Sequence, residues 1–308
     1  MISIIISSQK KNLLDKVSEN IRNTIGVAYE VIGIENSEGK FGICKAYNMG
    51  AAKARYDIFC FMHEDVLFET QDWGKKVIQH LSDTKTGLLG LAGGDTKSIV
   101  PSSWSSAIYE SEISIIQHYV GENNQGKHIV KTGYPNDPSL IKPVACIDGV
   151  WMCTRRDVYA TFQFDEKTFT GFHGYDIDYS LQVGQQYKIA VIFDIIVHHF
   201  SEGKYSKTWM ENTILVSTKW REQLPRSVRQ LSKQEFIRQH WTSQRVFILY
   251  LIEFKYPLSA TILLYLKYSA NRFFNVGHFA YHFKLLIKER RRRKGRLSTH
   301  PELSAKNW

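Results

Sequence analysis

The feature that most constrains the fold is an alternation of short apolar runs with helically spaced apolar residues. Ile2 to Ser7 and Tyr29 to Ile34 are rich in β-branched residues, which is typical of buried strands. Each run is followed by a segment with helical spacing, at residues 12–25 and 42–54. Strands that alternate with helices pair in parallel through right-handed crossovers. We therefore predict an α/β fold in which helices flank a mostly parallel central sheet.

Polar clusters follow three successive predicted strands. Ser7-Ser8 ends the first strand and Glu35-Asn36-Ser37 follows the second, while the apolar run 57–62 leads into His63-Glu64-Asp65. Parallel strands present their carboxyl ends at one edge of the sheet, where ligands bind in open α/β folds. The sequence therefore predicts a site at this edge that holds a cation or a phosphate. The alternative is that the acidic residues are ordinary turn residues.

Two acidic positions occur later in the chain. Asp148 interrupts an apolar segment in Ile147-Asp148-Gly149, which is also a simple turn signal. The segment 172–181 is typical of a loop that enters a helix, with Asp176 in the first helical turn. There the helix dipole and free N–H groups favour the ionised carboxylate that a general base needs. The alternative is that Asp176 or Asp178 only caps the helix.

A pair of histidines follows a further apolar run. We predict one buried strand from Ile189 to Val197, ending in His198-His199. A single histidine after a strand is usually structural. Two histidines in a chain with a carboxylate cluster favour a ligand role, because imidazole and carboxylate together suit a divalent ion such as Mn²⁺.

The segment 96–142 differs in composition from the regions around it. It is rich in Ser, Gly, Asn and Pro, and Trp104, Tyr109, Tyr119 and Tyr134 are scattered through it. We predict a loop-rich insertion that covers the strand ends. Its aromatic rings either stack on sugar faces or pin the loop to the body of the protein.

The positive charge is concentrated at the C-terminal end. The chain of 308 residues has a net charge of +10, but residues 226–308 hold 17 Lys/Arg against 4 Asp/Glu, while the rest holds 23 against 26. We predict a globular domain at 1–207 and a basic helical region at 208–308. Val246 to Leu266 is apolar, but Glu253, Lys255 and Pro257 near its middle argue against a membrane span.

The basic cluster from Lys284 to Arg296 contains eight Lys/Arg and one acidic residue. Such a cluster beside aromatic-rich helices is attracted to an anionic membrane surface. A nucleic-acid patch and a solvated terminus are the alternatives, and we find no nucleic-acid-binding motif. We expect a cytoplasmic protein attached peripherally to the inner face of the membrane.

Four cysteines are present, and no two have the spacing of a zinc knuckle or a redox pair. Reduced, structural cysteines in a cytosolic protein are the simplest interpretation. The apolar stretch Met1 to Ile6 is too short for a signal peptide.

These segments, in this order, resemble the nucleotide-diphospho-sugar transferases of glycosyltransferase family 2, particularly a branch found in streptomycin biosynthesis. The resemblance covers about residues 1–205 and implies the GT-A fold. It rests on these segments: Ser3-Ile4-Ile5-Ile6-Ser7-Ser8, Ile34-Glu35-Asn36-Ser37, Ala46-Tyr47-Asn48-Met49-Gly50-Ala51-Ala52, Phe61-Met62-His63-Glu64-Asp65-Val66, Ile147-Asp148-Gly149, Phe172-His173-Gly174-Tyr175-Asp176-Ile177-Asp178 and Val197-His198-His199.

The resemblance implies a set of residues that contact the nucleotide-sugar donor, and Glu35 in that set is implied to read the base. The donor-binding residues it implies are Ser8, Glu35, Asn48, His63, Glu64 and Asp148.

The resemblance also implies the metal ligands and the catalytic base. Asp65 matches the last position of the family's metal-binding DXD motif, and His198, with His199 as the alternative, matches a histidine that meets the metal or the diphosphate. Asp176 matches the general base. Two positions depart from the pattern, because His63 replaces the first Asp of the motif and Tyr175 replaces a Glu.

The implied reaction is an inverting transfer from a nucleotide-diphosphate sugar, with UDP favoured, to a hydroxyl of a glycan or lipid-linked saccharide. The implied cofactor is Mn²⁺ or Mg²⁺. The main alternative is a catalytically idle scaffold of the same fold that binds nucleotide-sugar or glycan. A nucleotidyltransferase is the second alternative, and it lacks support because no Gly-rich basic loop follows the first strand.

Overall fold

The computed structural model describes residues 1–105, 107–108, 111–120, 128–131, 140–203 and 205–294. The chain folds as two compact units, one formed by Met1–Asp95 with Ser111–Lys204 and the other by Thr96–Glu110 with Tyr205–Trp308. Tyr109 and Tyr134, predicted as insertion aromatics, lie outside the described residues.

The elements are numbered in chain order. Those of the first half are β1 (Ile2–Ser8), α1 (Lys11–Thr24), β2 (Tyr29–Glu35), α2 (Ile43–Lys53), β3 (Ile58–Met62), β4 (Val66–Phe68), α3 (Trp73–Leu81), β5 (Thr86–Gly90), β6 (Ala92–Gly94), β7 (Thr96–Lys97), β8 (Glu112–Ile113), β9 (Ile115–Tyr119), β10 (His128–Lys131), β11 (Ile141–Val144), β12 (Cys146–Ile147) and β13 (Trp151–Arg155). Those of the second half are α4 (Arg156–Thr161), α5 (Tyr175–Val183), β14 (Lys188–Ile192), β15 (Val197–Ser201), α6 (Lys207–Lys219), β16 (Arg226–Ser227), α7 (Lys233–Glu253), α8 (Leu258–Ser269) and α9 (Val276–Lys294).

A seven-stranded sheet forms the centre of the first unit, in the order β11-β14-β5-β13-β3-β1-β2. The isoleucines of β1 are fully buried, as the β-branched run predicts. The α/β fold with helices flanking a large central sheet is confirmed. The sheet is mixed in detail, because β1 pairs in parallel with β2 and β3, and β14 with β5, whereas β13 is antiparallel to both its neighbours and β11 is antiparallel to β14.

The reversal of β13 brings a loop to the predicted site. Trp151 opens β13 directly opposite Met62, the last residue of β3. The preceding turn therefore lies beside the residues that follow β3, and the His63 N–H donates to the Val150 carbonyl at 3.0 Å. This places Asp148 and Gly149 next to the His63-Glu64-Asp65 cluster.

A cluster of aromatic rings fixes the start of α5 against the sheet. Tyr47 of α2 packs on Phe61 of β3 with ring centroids 5.1 Å apart, and on Tyr175 of α5 at 5.8 Å. Phe164 contacts Phe61 at 4.9 Å. Because Tyr175 is only 4% exposed, the first turn of α5 is held rigidly at the same edge of the sheet.

A smaller sheet in the order β10-β9-β15-β4 lies in the same unit. The prediction of one strand from Ile189 to Val197 is wrong, since β14 ends at Ile192 and β15 begins at Val197. His198 and His199 thus lie inside a strand. Successive side chains of a strand point to opposite faces, so the two histidines cannot both reach one site.

The second unit is mainly helical in its described part. Buried Trp241, Ile248 and Ile252 of α7 pack with Tyr265 of α8 and Leu286 of α9. The apolar run from 246 to 266 is not one helix, because α7 ends at Glu253 and α8 starts at Leu258, with Lys255 at φ 57° between them. Among the described helices, none combines the length and apolar character that crossing a membrane requires.

Candidate functional site

Glu64 connects the ends of two strands. Its carboxylate accepts a hydrogen bond from the Ser8 hydroxyl at 2.7 Å and from the Gln9 and Lys10 N–H groups at 3.1 Å each. Both oxygens are therefore turned toward the chain that leaves β1. Ser8 and Glu64, which the sequence assigns to donor binding, lie together at the predicted edge, and Glu64 shapes the loop there.

Three side chains converge beside this connection. One ligand atom each of His63, Asp65 and His199 lies within 4.8 Å of the others. Asp65 Oδ1 is 3.5 Å from His199 Nε2 and 3.9 Å from His63 Nδ1. Asp65 Oδ1 and His199 Nε2 are both buried and make no hydrogen bond. Buried polar atoms without partners are costly, so this arrangement indicates a group that the side chains are placed to hold.

Hydrogen bonds fix which nitrogen of His199 carries the proton. Its Nδ1 is 2.8 Å from Gln117 Oε1, and the amide Nε2 of Gln117 donates to the His118 carbonyl, which can only accept, at 3.3 Å and to Ser201 Oγ at 3.0 Å. The amide oxygen therefore faces the imidazole, and Nδ1–H donates to it. In the neutral ring, Nε2 then presents its lone pair to Asp65.

Tyr175 fixes the His63 ring in the same way. The Tyr175 hydroxyl donates to the Gly149 carbonyl at 3.1 Å, so its oxygen accepts from His63 Nε2–H at 2.9 Å. His63 Nδ1 is left with a lone pair on the side of Asp65. Two imidazole lone pairs, each fixed by a hydrogen bond at the other ring nitrogen, and a carboxylate oxygen form a ligand set suited to a divalent ion such as Mn²⁺.

The titration of two of these groups agrees with a ligand role. Burial lowers the pKa of His63, which outweighs the attraction of Asp65 and favours the neutral, ligating imidazole. Burial alone would raise the pKa of Asp65, but the hydrogen bond and positive charge that His199 and His63 supply when protonated hold that pKa below its ordinary value. The site thus presents a carboxylate and a neutral imidazole near pH 7.

Asp176 lies in the first turn of α5, as predicted. Its Oδ1 accepts from the Ile177 N–H at 2.9 Å and its Oδ2 from the Gly149 N–H at 3.2 Å. The sequence predicts that the helix terminus keeps Asp176 ionised by lowering its pKa. This prediction is wrong, because the pKa is raised. Burial, followed by repulsion from Asp148, raises the pKa of Asp176 to about 7. A carboxylate with that pKa is well matched to proton abstraction near neutral pH.

Gly149 joins the ligand set to Asp176. Its N–H binds Asp176 and its carbonyl binds Tyr175, which in turn holds His63. A Cβ on Gly149 would lie 2.1 Å from the Tyr175 hydroxyl oxygen, so the close approach requires glycine. The candidate base and the candidate metal ligands therefore meet at one place.

His198, the residue preferred from the sequence as the metal ligand, faces elsewhere. Its Nε2 is 3.0 Å from Glu69 Oε2, and its Nδ1 is 2.8 Å from His118 Nε2. The structure brings His199, the alternative, to Asp65 instead. The strand period of two accounts for this choice, because His198 and His199 lie in the middle of β15.

The remaining predicted donor residues have different surroundings. Glu35 is exposed, and the Ser37 hydroxyl and N–H lower its pKa, with the N–H donating to it at 2.9 Å. Asn48 is bound by Phe164, Glu166 and Tyr159 at 2.7 to 2.9 Å. Asp148 accepts from the Val150 N–H at 2.8 Å and borders Asp176.

Three residues were missed or placed in another role by the sequence interpretation. His63 was assigned to the donor and lies in the cation ligand set, and Tyr175 and Gln117 orient the two histidine ligands. Only His63 carried a usable signal, since it stands two residues before Asp65. The orienting residues are distant in sequence and become visible only in the folded chain.

Comparison with solved structures supports the fold. The S. aureus TarS 1–349 structure in complex with UDP aligns with a TM-score of 0.53 and 10% identity, over 98% of this chain and 94% of that one. GalNAc-T7 with UDP, GalNAc and Mn²⁺ aligns with a TM-score of 0.51 and 12% identity over 94% of this chain, which spans 57% of that longer protein. At such low identity the likeness shows a shared fold.

No curated protein sequence matches the chain. The sequence profile of a glycosyltransferase-like family does match, over residues 3–224, which include every residue of the candidate site. The chain belongs to the glycosyltransferase-like family, of the family 2 type, and has the GT-A fold.

Proposed function

We propose that the protein transfers a sugar from a nucleotide-diphosphate sugar to an acceptor hydroxyl with inversion of configuration. The observation that carries this proposal is the convergence of Asp65, His63 and His199 beside Asp176. A cation ligand set and a carboxylate with a pKa of about 7 supply the two functions such a transfer needs. The bound UDP and Mn²⁺ of the GalNAc-T7 structure make a UDP-sugar and a divalent metal the natural first choices.

His63, Asp65 and His199 would hold the metal, in place of the predicted pair Asp65 and His198. When bound, a divalent cation such as Mn²⁺ or Mg²⁺ neutralises the charge that develops on the departing nucleoside diphosphate. Two imidazoles in the set favour Mn²⁺ over Mg²⁺, because Mg²⁺ prefers oxygen ligands.

Asp176 is the proposed general base. It would accept the proton of the acceptor hydroxyl as that oxygen attacks the anomeric carbon. The Gly149 N–H and the N-terminal turn of α5 stabilise the carboxylate that this role needs, while burial and Asp148 raise its pKa into the working range. The acceptor is proposed to be a glycan or lipid-linked saccharide in polysaccharide assembly.

The donor-binding role of Ser8, Glu35 and Asp148 is kept as part of the proposal. Ser8 and Asp148 flank the ligand set, and exposed Glu35 is available to the nucleotide base. Glu64 and Asn48 are engaged within the protein, so their contribution would be to position the loops that they bind.

The test is a binding and turnover panel of UDP-, GDP-, CMP- and dTDP-sugars with and without Mn²⁺. We expect one donor class to bind in a Mn²⁺-dependent way and to be slowly hydrolysed. Asp176→Asn should bind that donor normally and lose transfer, with Asp157→Asn, an exposed acid on α4, as the matched control. Full turnover in Asp176→Asn would refute the role of the base.

The panel also separates the transferase from the idle scaffold. The replacement of a Glu by Tyr175 supports the scaffold, because a buried phenol cannot act as a second acid. Donor binding without any hydrolysis or transfer would favour the scaffold and contradict the proposed reaction.

A further inference from the structure

The second unit exposes an apolar ridge on α8. Leu263 and Leu266 are 72% and 44% exposed, while Thr261 and Tyr265 on the opposite side of the helix are fully buried. The helix is therefore anchored through one face and presents leucines on the other. Contiguous exposed leucines are unusual for a face that contacts only water.

Helix α9 carries a second exposed stripe. Val276, Ala280, Lys284, Lys288 and Arg291 follow each other at intervals of three or four residues, so they lie on one side of the helix. Val276 is 70% exposed, and the three basic residues are exposed as well. The stripe is thus apolar in the first turns of α9 and cationic in the later turns.

Only part of the basic cluster is directed outward. Arg290 donates to the Tyr256 carbonyl, Arg293 pairs with Glu253, and Arg292 pairs with Glu289 at 2.9 Å. Arg290 and Arg293 therefore bind α9 to other parts of the second unit, and Arg292 pairs with an acidic residue of the same helix.

Lys284, Lys288 and Arg291 have no hydrogen bond or ion pair among the described residues. They line a shallow groove of about 370 Å³ together with Phe283 and Ile287. The groove therefore combines an apolar floor with three unneutralised cations. A negatively charged headgroup attached to an apolar chain matches both features.

We propose that the leucine ridge of α8 and the stripe of α9 form a docking face for an anionic phospholipid membrane. Cations alone would equally suit a nucleic acid, but the exposed leucines and Val276 gain nothing from a phosphate backbone. Transfer of these apolar side chains from water into the interfacial region of a bilayer lowers the free energy, and the cations then meet anionic headgroups. This docking does not depend on the proposed transferase reaction.

The test is co-sedimentation of the full chain with phosphatidylcholine vesicles, with and without phosphatidylglycerol. We expect binding only to the anionic vesicles. Replacing three basic residues in K284Q/K288Q/R291Q should weaken that binding on the order of 100-fold, from about fivefold for each charge near the surface. Raising the salt concentration from about 0.1 M to about 0.5 M should also weaken vesicle binding by the unaltered protein.

Two further variants make the result specific. L263S/L266S keeps every charge and should weaken binding through the loss of apolar insertion. K53Q/K85Q/K188Q removes three exposed lysines of the other unit and should bind like the unaltered protein. The vesicle assay contains no sugar donor, so its outcome is separate from that of the donor panel.

Several results would overturn the proposal. They are equal binding to neutral vesicles, equal loss in the K53Q/K85Q/K188Q control, or unchanged binding in both the basic and the leucine variants. Tighter binding to single-stranded RNA than to anionic vesicles, abolished by K284Q/K288Q/R291Q alone, would assign the face to nucleic acid instead.

Discussion

The Tyr175 hydroxyl offers a sharp test of how the cation ligands are oriented. Tyr175→Phe removes the oxygen that accepts from His63 Nε2–H and the proton that binds the Gly149 carbonyl. The buried ring itself is kept, so its packing on Tyr47 is preserved. His63 would then be free to exchange tautomers, and its Nδ1 lone pair would no longer be fixed toward Asp65.

The expected effects follow from these two lost bonds. Unsatisfied polar groups at a buried position cost about 1–3 kcal/mol of stability. Losing the partner behind a metal-ligating histidine lowers metal affinity by about 10- to 100-fold. Isothermal titration of UDP in the presence of Mn²⁺ measures the affinity, and urea unfolding measures the stability.

Tyr159→Phe is the matched control. Its hydroxyl donates to Asn48 at 2.7 Å, and its ring belongs to the same aromatic cluster, but it does not touch the ligand set. We expect a comparable loss of stability and no loss of Mn²⁺-dependent affinity. If Tyr175→Phe binds UDP and Mn²⁺ as tightly as the unaltered protein, His63 is not oriented as described.

Three further predictions concern neighbouring residues. Because the pKa of Asp176 is raised to about 7, transfer should rise with pH through that value and then level off, as measured by a pH–rate profile; a flat profile from pH 5 to pH 8 would contradict its role. Gly149→Ala should lower the free energy of unfolding in urea by about 1–3 kcal/mol and also weaken Mn²⁺-dependent UDP binding, because the new methyl group overlaps Tyr175. Unchanged stability and affinity would show that the loop shifts to accommodate the methyl group. His198→Ala should leave that binding unchanged, whereas His199→Ala should weaken it, and the opposite result in calorimetry would restore the choice of His198.

The order of strands and helices could be predicted because hydrophobic periodicity is local. The runs that begin at Ile2 and Tyr29 and the helical spacing at 12–25 need no long-range information, and they appear as β1, β2 and α1. Because the carboxyl ends of parallel strands lie at one edge of a sheet, the sequence also predicts that Ser8 lies near the His63-Glu64-Asp65 cluster, and Ser8 binds Glu64 there.

The details of the site depend on register and on contacts between distant segments. The pairing of β15 with β4 and β9, as a strand separate from β14, sets which histidine of β15 faces Asp65. The direction of β13 brings Gly149 to His63, and this pairing joins residues that are far apart in the sequence. The pKa of Asp176 depends on burial and on Asp148, neither of which its helical position reveals.

Pulsed electron paramagnetic resonance of Mn²⁺ bound with UDP to protein containing ¹⁵N-histidine tests the cation ligand set most directly. If His63 and His199 both bind the ion, we expect coupling to two directly bound imidazole nitrogens, reduced to one in either His63→Ala or His199→Ala and unchanged in His198→Ala. Bound Mn²⁺ with no imidazole coupling, or with coupling that survives both ligand replacements, would contradict this ligand set.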